Sequence, residues 1–276
     1  MTEPERDRKA YALAKEYLLG LAIPGVTPAL VEKYLRFSQT RPRPDTVAGI
    51  YQALLVSAQN ANMKAGVIGG SIDGVEKLGV VLSDFEPAGI LGKFSSGPKA
   101  VLDEIEARLK PRGKIRRTPR SIWPHYCLTI LSAARFMAQF PSATEFYKWA
   151  DFFDQDDRAR PALPMLLARE IEGLGFALSC DFLKELGYAS YAKPDVHVSE
   201  IFGALQLCPP GSDDYDVFKA IVRVAKHADV TPYNVDKLFW LIGSGRFYDD
   251  PQLGNDGKVG SNKKGFIKQA KAKLAG

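Results

Sequence analysis

Two short stretches carry residue types whose spacing admits chemistry. In AKPDVHV, Asp195 follows Pro194 and precedes an apolar helical pattern, VHVSEIFGAL. A carboxylate there has two uses open to it: capping the first N–H groups of the helix, or stabilising positive charge that develops on a substrate. His197 reads as a structural hydrogen-bonding residue near that cap rather than as a base. Twenty residues before Asp195, Gly173-Leu174-Gly175 separates the helical patterns LPMLLAREI and ALSCDFLKEL. Glycines at such a junction form a hairpin whose N–H groups point along the start of the second helix. That geometry can hold a phosphate or serve as a plain helix–helix turn.

The elements that must position these residues are helices. DTVAGIYQALLVSAQ, PKAVLDEIEARLK, CLTILSAARFMAQF, SATEFYKWADFF and NVDKLFWLIGSG repeat apolar residues at i, i+3, i+4 and i+7, and no alternating run is long enough for a sheet. The fold class expected is all-α. Helix starts are marked at Thr27-Pro28, Pro44-Asp45-Thr46, Ser142 to Thr144 and Thr231-Pro232, while Gly66, Gly69, Gly70, Gly89, Gly92 and Gly113 break the middle of the chain into short pieces.

The chain has 276 residues, 46% hydrophobic and 25% charged, enough to bury a core as one large domain or two lobes. A formal net charge of +5 suits a polyanionic partner without requiring one. The positive charge gathers in two places. KPRGKIRRTPR crowds Lys110, Arg112, Lys114, Arg116, Arg117 and Arg120 into a broken loop, and the tail KVGSNKKGFIKQAKAKLAG carries six lysines with hardly an acid among them. Both read either as phosphate-contacting surfaces or as solvated faces. Cys127, Cys180 and Cys208 are odd in number and far apart, and read as reduced core thiols with no metal site. No apolar run reaches the roughly 20 residues of a membrane span, and the N-terminus reads as a charged amphipathic helix without a signal-peptide pattern. A cytoplasmic monomer without membrane association is expected.

Three islands in order resemble the helix-hairpin-helix DNA glycosylases of the endonuclease III superfamily. IEGLG with DVHV is similar to the family's hairpin and the aspartate segment that follows it; LLVSAQNAN, with Gln59, is similar to its Leu-Leu-Ser-Ala-Gln segment; VDKLFWLIGSGRFY, ending at Tyr248, looks like its C-terminal His-Trp-Leu-Ile-x-x-Gly-Arg-Tyr helix. The resemblance implies two helical lobes with an active-site cleft between them, one of residues 46–187 carrying the hairpin and the other of residues 1–45 with 188–276 carrying the aspartate. It implies that double-stranded DNA is the partner, that a nucleotide is flipped out, and that Asp195 stabilises charge on the deoxyribose as the base leaves. Gln59 would enter the vacated stack, Gly173 and Gly175 would hold the backbone, and Arg112, Lys114, Arg116 and Arg117 would add phosphate contacts.

Departures from the family pattern sharpen the expectation. Strand-cleaving members carry a lysine two residues after the second hairpin glycine, where this chain has Ala177. Hydrolysis to an abasic site is therefore expected, with Lys184 and Lys193 as the candidates for any lyase activity. The four cysteines that hold an iron–sulfur cluster after Gly-Arg-Tyr in many relatives have no counterpart in RFYDDPQLGNDGKVG, so no cluster is expected. Glu172 stands where a proline is usual, and a monovalent cation at the hairpin could bridge backbone and phosphate. The segment 64–120 is longer than in compact relatives; Phe94, Trp123, His125 and Tyr126, in or beside it, are candidates to stack on an extruded base. A wider pocket would suit a bulky modified pyrimidine such as a glucosylated phage cytosine, and with it a role in phage defence, while small lesions stay open. The alternative is a helix-hairpin-helix module that binds DNA without chemistry.

Overall fold

The computed structural model describes residues 1–21, 24–36, 42–60, 66–119, 121–246, 253 and 262–275. Among them the regular structure is helical, without a sheet. The chain divides into two compact units, Met1–Thr40 with Tyr188–Gly276, and Arg41–Gly187. From the N-terminus, α1 (Glu3–Gly20) and α2 (Pro28–Leu35) belong to the first unit. Then α3 (Val47–Ala58), α4 (Val67–Ser71), α5 (Pro87–Lys93), α6 (Pro98–Leu109), α7 (Ile122–Met137), α8 (Ala143–Asp154), α9 (Ala162–Glu170) and α10 (Phe176–Glu185) make up the second. Finally α11 (Val196–Ala204), α12 (Asp214–Ala228), α13 (Pro232–Ser244) and α14 (Lys263–Ala275) return to the first.

In the first unit, α1 packs on α12, α12 on α13 and α13 on α11. The apolar stripe of α12, Val217, Ala220, Ile221, Val224 and Ala225, faces this core at helical spacing. Phe202 and Phe239 meet edge to face at 5.1 Å in the middle of it. An added Cβ at Gly243 would lie 2.6 Å from the His197 Cβ, so α13 approaches α11 through a position where only glycine fits. Asp7 on α1 is fully buried and compensated: Arg223 Nε donates to its carboxylate at 2.9 Å, and His227 Nδ1 lies 2.7 Å from it.

The second unit is built around α3 and α7, which are tied twice. Tyr51 on α3 donates its hydroxyl to the Ile130 carbonyl at 2.9 Å, and Tyr126 on α7 donates to the Leu55 carbonyl at 2.9 Å. Burial pushes both phenols well above their ordinary pKa, so they remain donors. Phe136, Phe140, Phe146 and Trp149 interlock between α7 and α8. The glycine-rich middle of the chain is folded into this unit. It forms α4, two tight 3-10 turns at Val75–Val80 and Ser83–Phe85, and α5, with Val75, Leu78, Val81, Leu82, Phe85 and Ile90 buried.

Candidate functional site

Asp195 is the N-cap of α11, its backbone extended at φ −80 and ψ 172. Its Oδ1 accepts the N–H groups of His197 at 2.9 Å and Val198 at 3.0 Å, and its carbonyl accepts the Ser199 hydroxyl at 2.8 Å. Its Oδ2 has no hydrogen-bond partner among the described residues. One carboxylate oxygen thus fixes the group's orientation and leaves the other for an incoming partner. The side chain is half-buried, while its neighbour Val196 is 61% exposed. The approach to the cap is itself anchored. Buried Asp236 on α13 accepts the Lys193 N–H at 3.0 Å, and Tyr233 N–H donates to the Ala189 carbonyl at 3.0 Å. His197 packs against Gly243, with Nδ1 3.5 Å from Lys263 Nζ, which also pairs with Glu200. Its ring serves the packing of α11 on α13 and α14.

The segment 171–175 turns the chain from α9 into α10. Gly173 has φ +82, and an added Cβ would lie 2.4 Å from Thr129 Oγ1 and 2.8 Å from His125 Nε2, so glycine is required twice over. Gly175 is different. It is the N-cap of α10 with φ −72, and a Cβ there would meet nothing within 4 Å. The first intrahelical bond runs from Ser179 N–H to the Gly175 carbonyl, so the N–H groups ahead of it have no helical acceptor. That end is exposed at Gly175 and Glu172, and the Glu172 N–H is taken by Ser132 Oγ at 3.0 Å. Lys184, two turns into α10, pairs with Asp181 at 2.8 Å.

Several residues expected at a DNA surface have partners within the chain. Gln59 is the C-cap of α3 and only 8% exposed; its Oε1 accepts the Gly69 N–H at 2.9 Å, and next to it Asn60 Oδ1 accepts the Gly66 N–H at 3.0 Å. It is latched against α4 and is not presented as a free probe. Arg112 pairs with Asp73 at 2.8 Å and donates to the Gly70 carbonyl at 2.5 Å, stapling the basic loop to the end of α4. Arg117 sits between Asp103, at 2.6 Å, and Glu106 on α6, and those two hydrogen bonds raise its pKa further. Both were expected to contact phosphates; both are exposed and already paired with acids of the same unit. Lys114 and Arg116 are exposed and have no partner among the described residues.

Trp123 and Tyr126 were expected to stack on an extruded base. Both are buried in the second unit, edge to face at 6.3 Å, with the Tyr126 hydroxyl committed to Leu55. Phe94 is buried too, capped by the Lys93 ammonium 5.1 Å from its ring. His125 is half-buried beside Gly173. Arg120 and Tyr248 lie outside the described residues. Asp7 and Asp236 went unnoticed in the sequence, although each is an acid on an apolar helical face, Asp7 in line with Ala10 and Ala14, Asp236 in line with Phe239 and Trp240.

Among the described residues no group of three or more His, Cys, Asp or Glu side chains could hold a metal ion, and no helix is long and apolar enough to cross a membrane. All three cysteines are buried and reduced. No protein-family model matches the sequence, and no curated protein matches it. Two solved structures are similar, both from Methanocaldococcus jannaschii. One is an 8-oxoguanine DNA glycosylase, at 13% identity over 79% of this chain and 86% of that one, with a TM-score of 0.46. The other is an 8-oxoguanine glycosylase/lyase in complex with a 15mer DNA containing 8-oxoguanine, at 14% identity over 85% of this chain and 98% of that one, with a TM-score of 0.51. The second likeness, over nearly the whole of that protein, shows that this chain has the helical fold of a DNA glycosylase.

Proposed function

We propose that the protein is a DNA N-glycosylase of the helix-hairpin-helix superfamily, acting on a modified base in duplex DNA and leaving an abasic site. The observation that carries this is Asp195, a cap whose Oδ1 is fixed by two backbone N–H groups while Oδ2 is left without a partner among the described residues. As the N-glycosidic bond breaks, its electron pair leaves with the base and positive charge grows at the sugar carbon. A carboxylate already oriented needs no reorganisation to stabilise that charge. Water then adds to the sugar carbon, and its proton is passed on to the departing base.

Hydrolysis without strand cleavage is supported by Ala177 in place of the family's lysine and by Lys184 being paired with Asp181. The substrate class is set more loosely. The solved neighbour bound to DNA is an 8-oxoguanine glycosylase/lyase, which makes 8-oxoguanine the first base to test. The case for a bulky pyrimidine rested on the long segment after Gln59, and the part of it from Gly66 to Phe94 contributes buried side chains to the second unit. At the hairpin, the open end of α10 suits a phosphate oxygen, with Glu172 at its rim.

The test is incubation of the wild type and Asp195→Asn with end-labelled duplexes carrying 8-oxoguanine, uracil, alkylated purines or glucosylated hydroxymethylcytosine, scored with and without hot alkali. Alkali-dependent breaks made by the wild type alone are expected, with no adduct trapped by borohydride. A borohydride-trapped adduct would replace hydrolysis by lyase chemistry. Binding by both proteins without abasic sites on any duplex would favour the non-catalytic DNA-binding module.

A further inference from the structure

The basic tail has no role in the chemistry above, yet its last helix is ordered and its charges are sorted. Helix α14, KKGFIKQAKAKLA, contains five lysines and no acid. It packs on α1, α13 and α11 through Phe266 and Ala270, both buried; the Phe266 ring meets Tyr17 at 5.3 Å and Phe239 at 6.1 Å. At about 100° per residue, Lys263 and Lys273 fall on the two flanks of that buried side, and both have acids to meet. Lys263 pairs with Glu200, and Lys273 lies 3.8 Å from Glu16. Lys264, Lys268 and Lys271 fall within an arc of about 60° on the side turned away from the core. All three are exposed, and none has a partner among the described residues.

That ridge does nothing for the fold. Like charges at i, i+4 and i+7 repel one another, and a lysine in the first turn opposes the helix dipole. We infer that Lys264, Lys268 and Lys271 form a sequence-independent docking ridge for the phosphate backbone of duplex DNA, separate from the Asp195 and hairpin chemistry. The inference rests on DNA being the substrate, as proposed above. The three Cα positions span about 10.5 Å of helix axis, enough to face about three successive phosphates of one strand, which carries a charge every 3.4 Å or so of its axis. An anionic membrane is the less suitable polyanion, because the apolar face that would enter lipid is already buried against α1 and α13.

The experiment measures the affinity of the full chain for an unmodified 20-base-pair duplex across a salt series, for the wild type and for Lys264→Gln/Lys268→Gln/Lys271→Gln. A second triple variant, Lys9→Gln/Lys77→Gln/Lys99→Gln, removes the same charge from scattered positions. Thermal melts check that each protein is folded. The ridge variant is expected to flatten the slope of log affinity against log salt by about 2.7, from about 0.9 per phosphate contact, and to weaken low-salt binding by more than about tenfold. The scattered variant should shift the slope by less than about 1. An unchanged slope in the ridge variant, or an equal loss in the scattered one, overturns the ridge. So does binding to phosphatidylserine vesicles that disappears in the ridge variant while the DNA slope stays put. Because the duplex is unmodified, the outcome is independent of base excision: a protein that excises nothing but loses the slope keeps the ridge and loses the glycosylase.

Discussion

Asp195 has two jobs in this structure that substitutions can pull apart. As a cap, its Oδ1 satisfies two backbone N–H groups of α11. Losing such a cap costs about 1 kcal/mol, and asparagine caps about as well as aspartate. As a charge, the carboxylate is worth far more at the transition state: removing one pre-oriented stabilising group lowers kcat by about 100- to 1,000-fold, or roughly 2.7–4 kcal/mol. Asp195→Asn should therefore melt within about 1 °C of the wild type, while Asp195→Ala should melt about 2–4 °C lower. Both should excise at least about 100 times more slowly under single-turnover conditions. The assay pairs calorimetric melts with alkali-revealed cleavage on whichever duplex the wild type processes. An Asp195→Asn protein that excises at the wild-type rate would refute the electrostatic role. One that melts as low as the alanine variant would show that the second oxygen also holds the fold.

Other consequences follow from single contacts. Gly173→Ala, with φ +82 and a Cβ 2.4 Å from Thr129 Oγ1, should destabilise the second unit by about 2 kcal/mol or more, whereas Gly175→Ala, free of contacts, should stay within about 1 kcal/mol in a denaturant titration. Gly69→Ala would set a Cβ 2.9 Å from Gln59 Oε1 and break the latch; its cost of about 1 kcal/mol should vanish in a Gln59→Ala background, as a double-mutant cycle would show. Lys114→Gln and Arg116→Gln should each lower the salt slope of DNA binding by about 0.9, while Arg117→Gln leaves it unchanged and speeds proteolysis of the loop it tethers. Burial pushes the Cys127 thiol up to about 12 from 9.0. Native protein should thus resist thiol reagents at pH 8, and this thiol's contribution to stability, complete below pH 9, should fade as pH climbs from 9 towards 12.

Helices were the legible part of the sequence because both of their signals are local. The caps expected at Thr27, Thr46, Ser142 and Thr231 each accept the N–H three residues on, from Leu30, Gly49, Glu145 and Asn234. The buried Cys127 and Cys180 were legible for the same reason, lying in the apolar helical patterns of α7 and α10, whereas Cys208 lies in the turn after α11. What a charge or an aromatic ring does is decided by a partner far along the chain, and composition is blind to that. Arg112 and Lys114 look alike within KPRGKIRR, yet Arg112 meets Asp73 and Lys114 meets no one among the described residues. Tyr126 lies in a helix with apolar residues on more than one face, and only its bond to Leu55 shows which way it turns. Gln59 found its donor in the Gly69 N–H, across a stretch of glycines whose path no periodicity predicts.

The choice between an enzyme and a binding module comes down to why residue 195 is charged. Capping does not require it. Among the described residues, other helices start on a neutral hydroxyl that serves as the cap: Thr27, Thr46, Ser142 and Thr231 each accept a helical N–H within hydrogen-bond distance. The other aspartate cap that accepts a backbone N–H, Asp213, stands in an exposed turn where a charge costs little. Asp195 is half-buried, and no cation is paired with it among the described residues. A serine there would keep the cap and drop both the charge and the second oxygen. Asp195→Ser should therefore fold like the wild type, bind duplex with the same salt slope and excise nothing; if it excises normally, α11 needs only its cap and the fold serves binding alone.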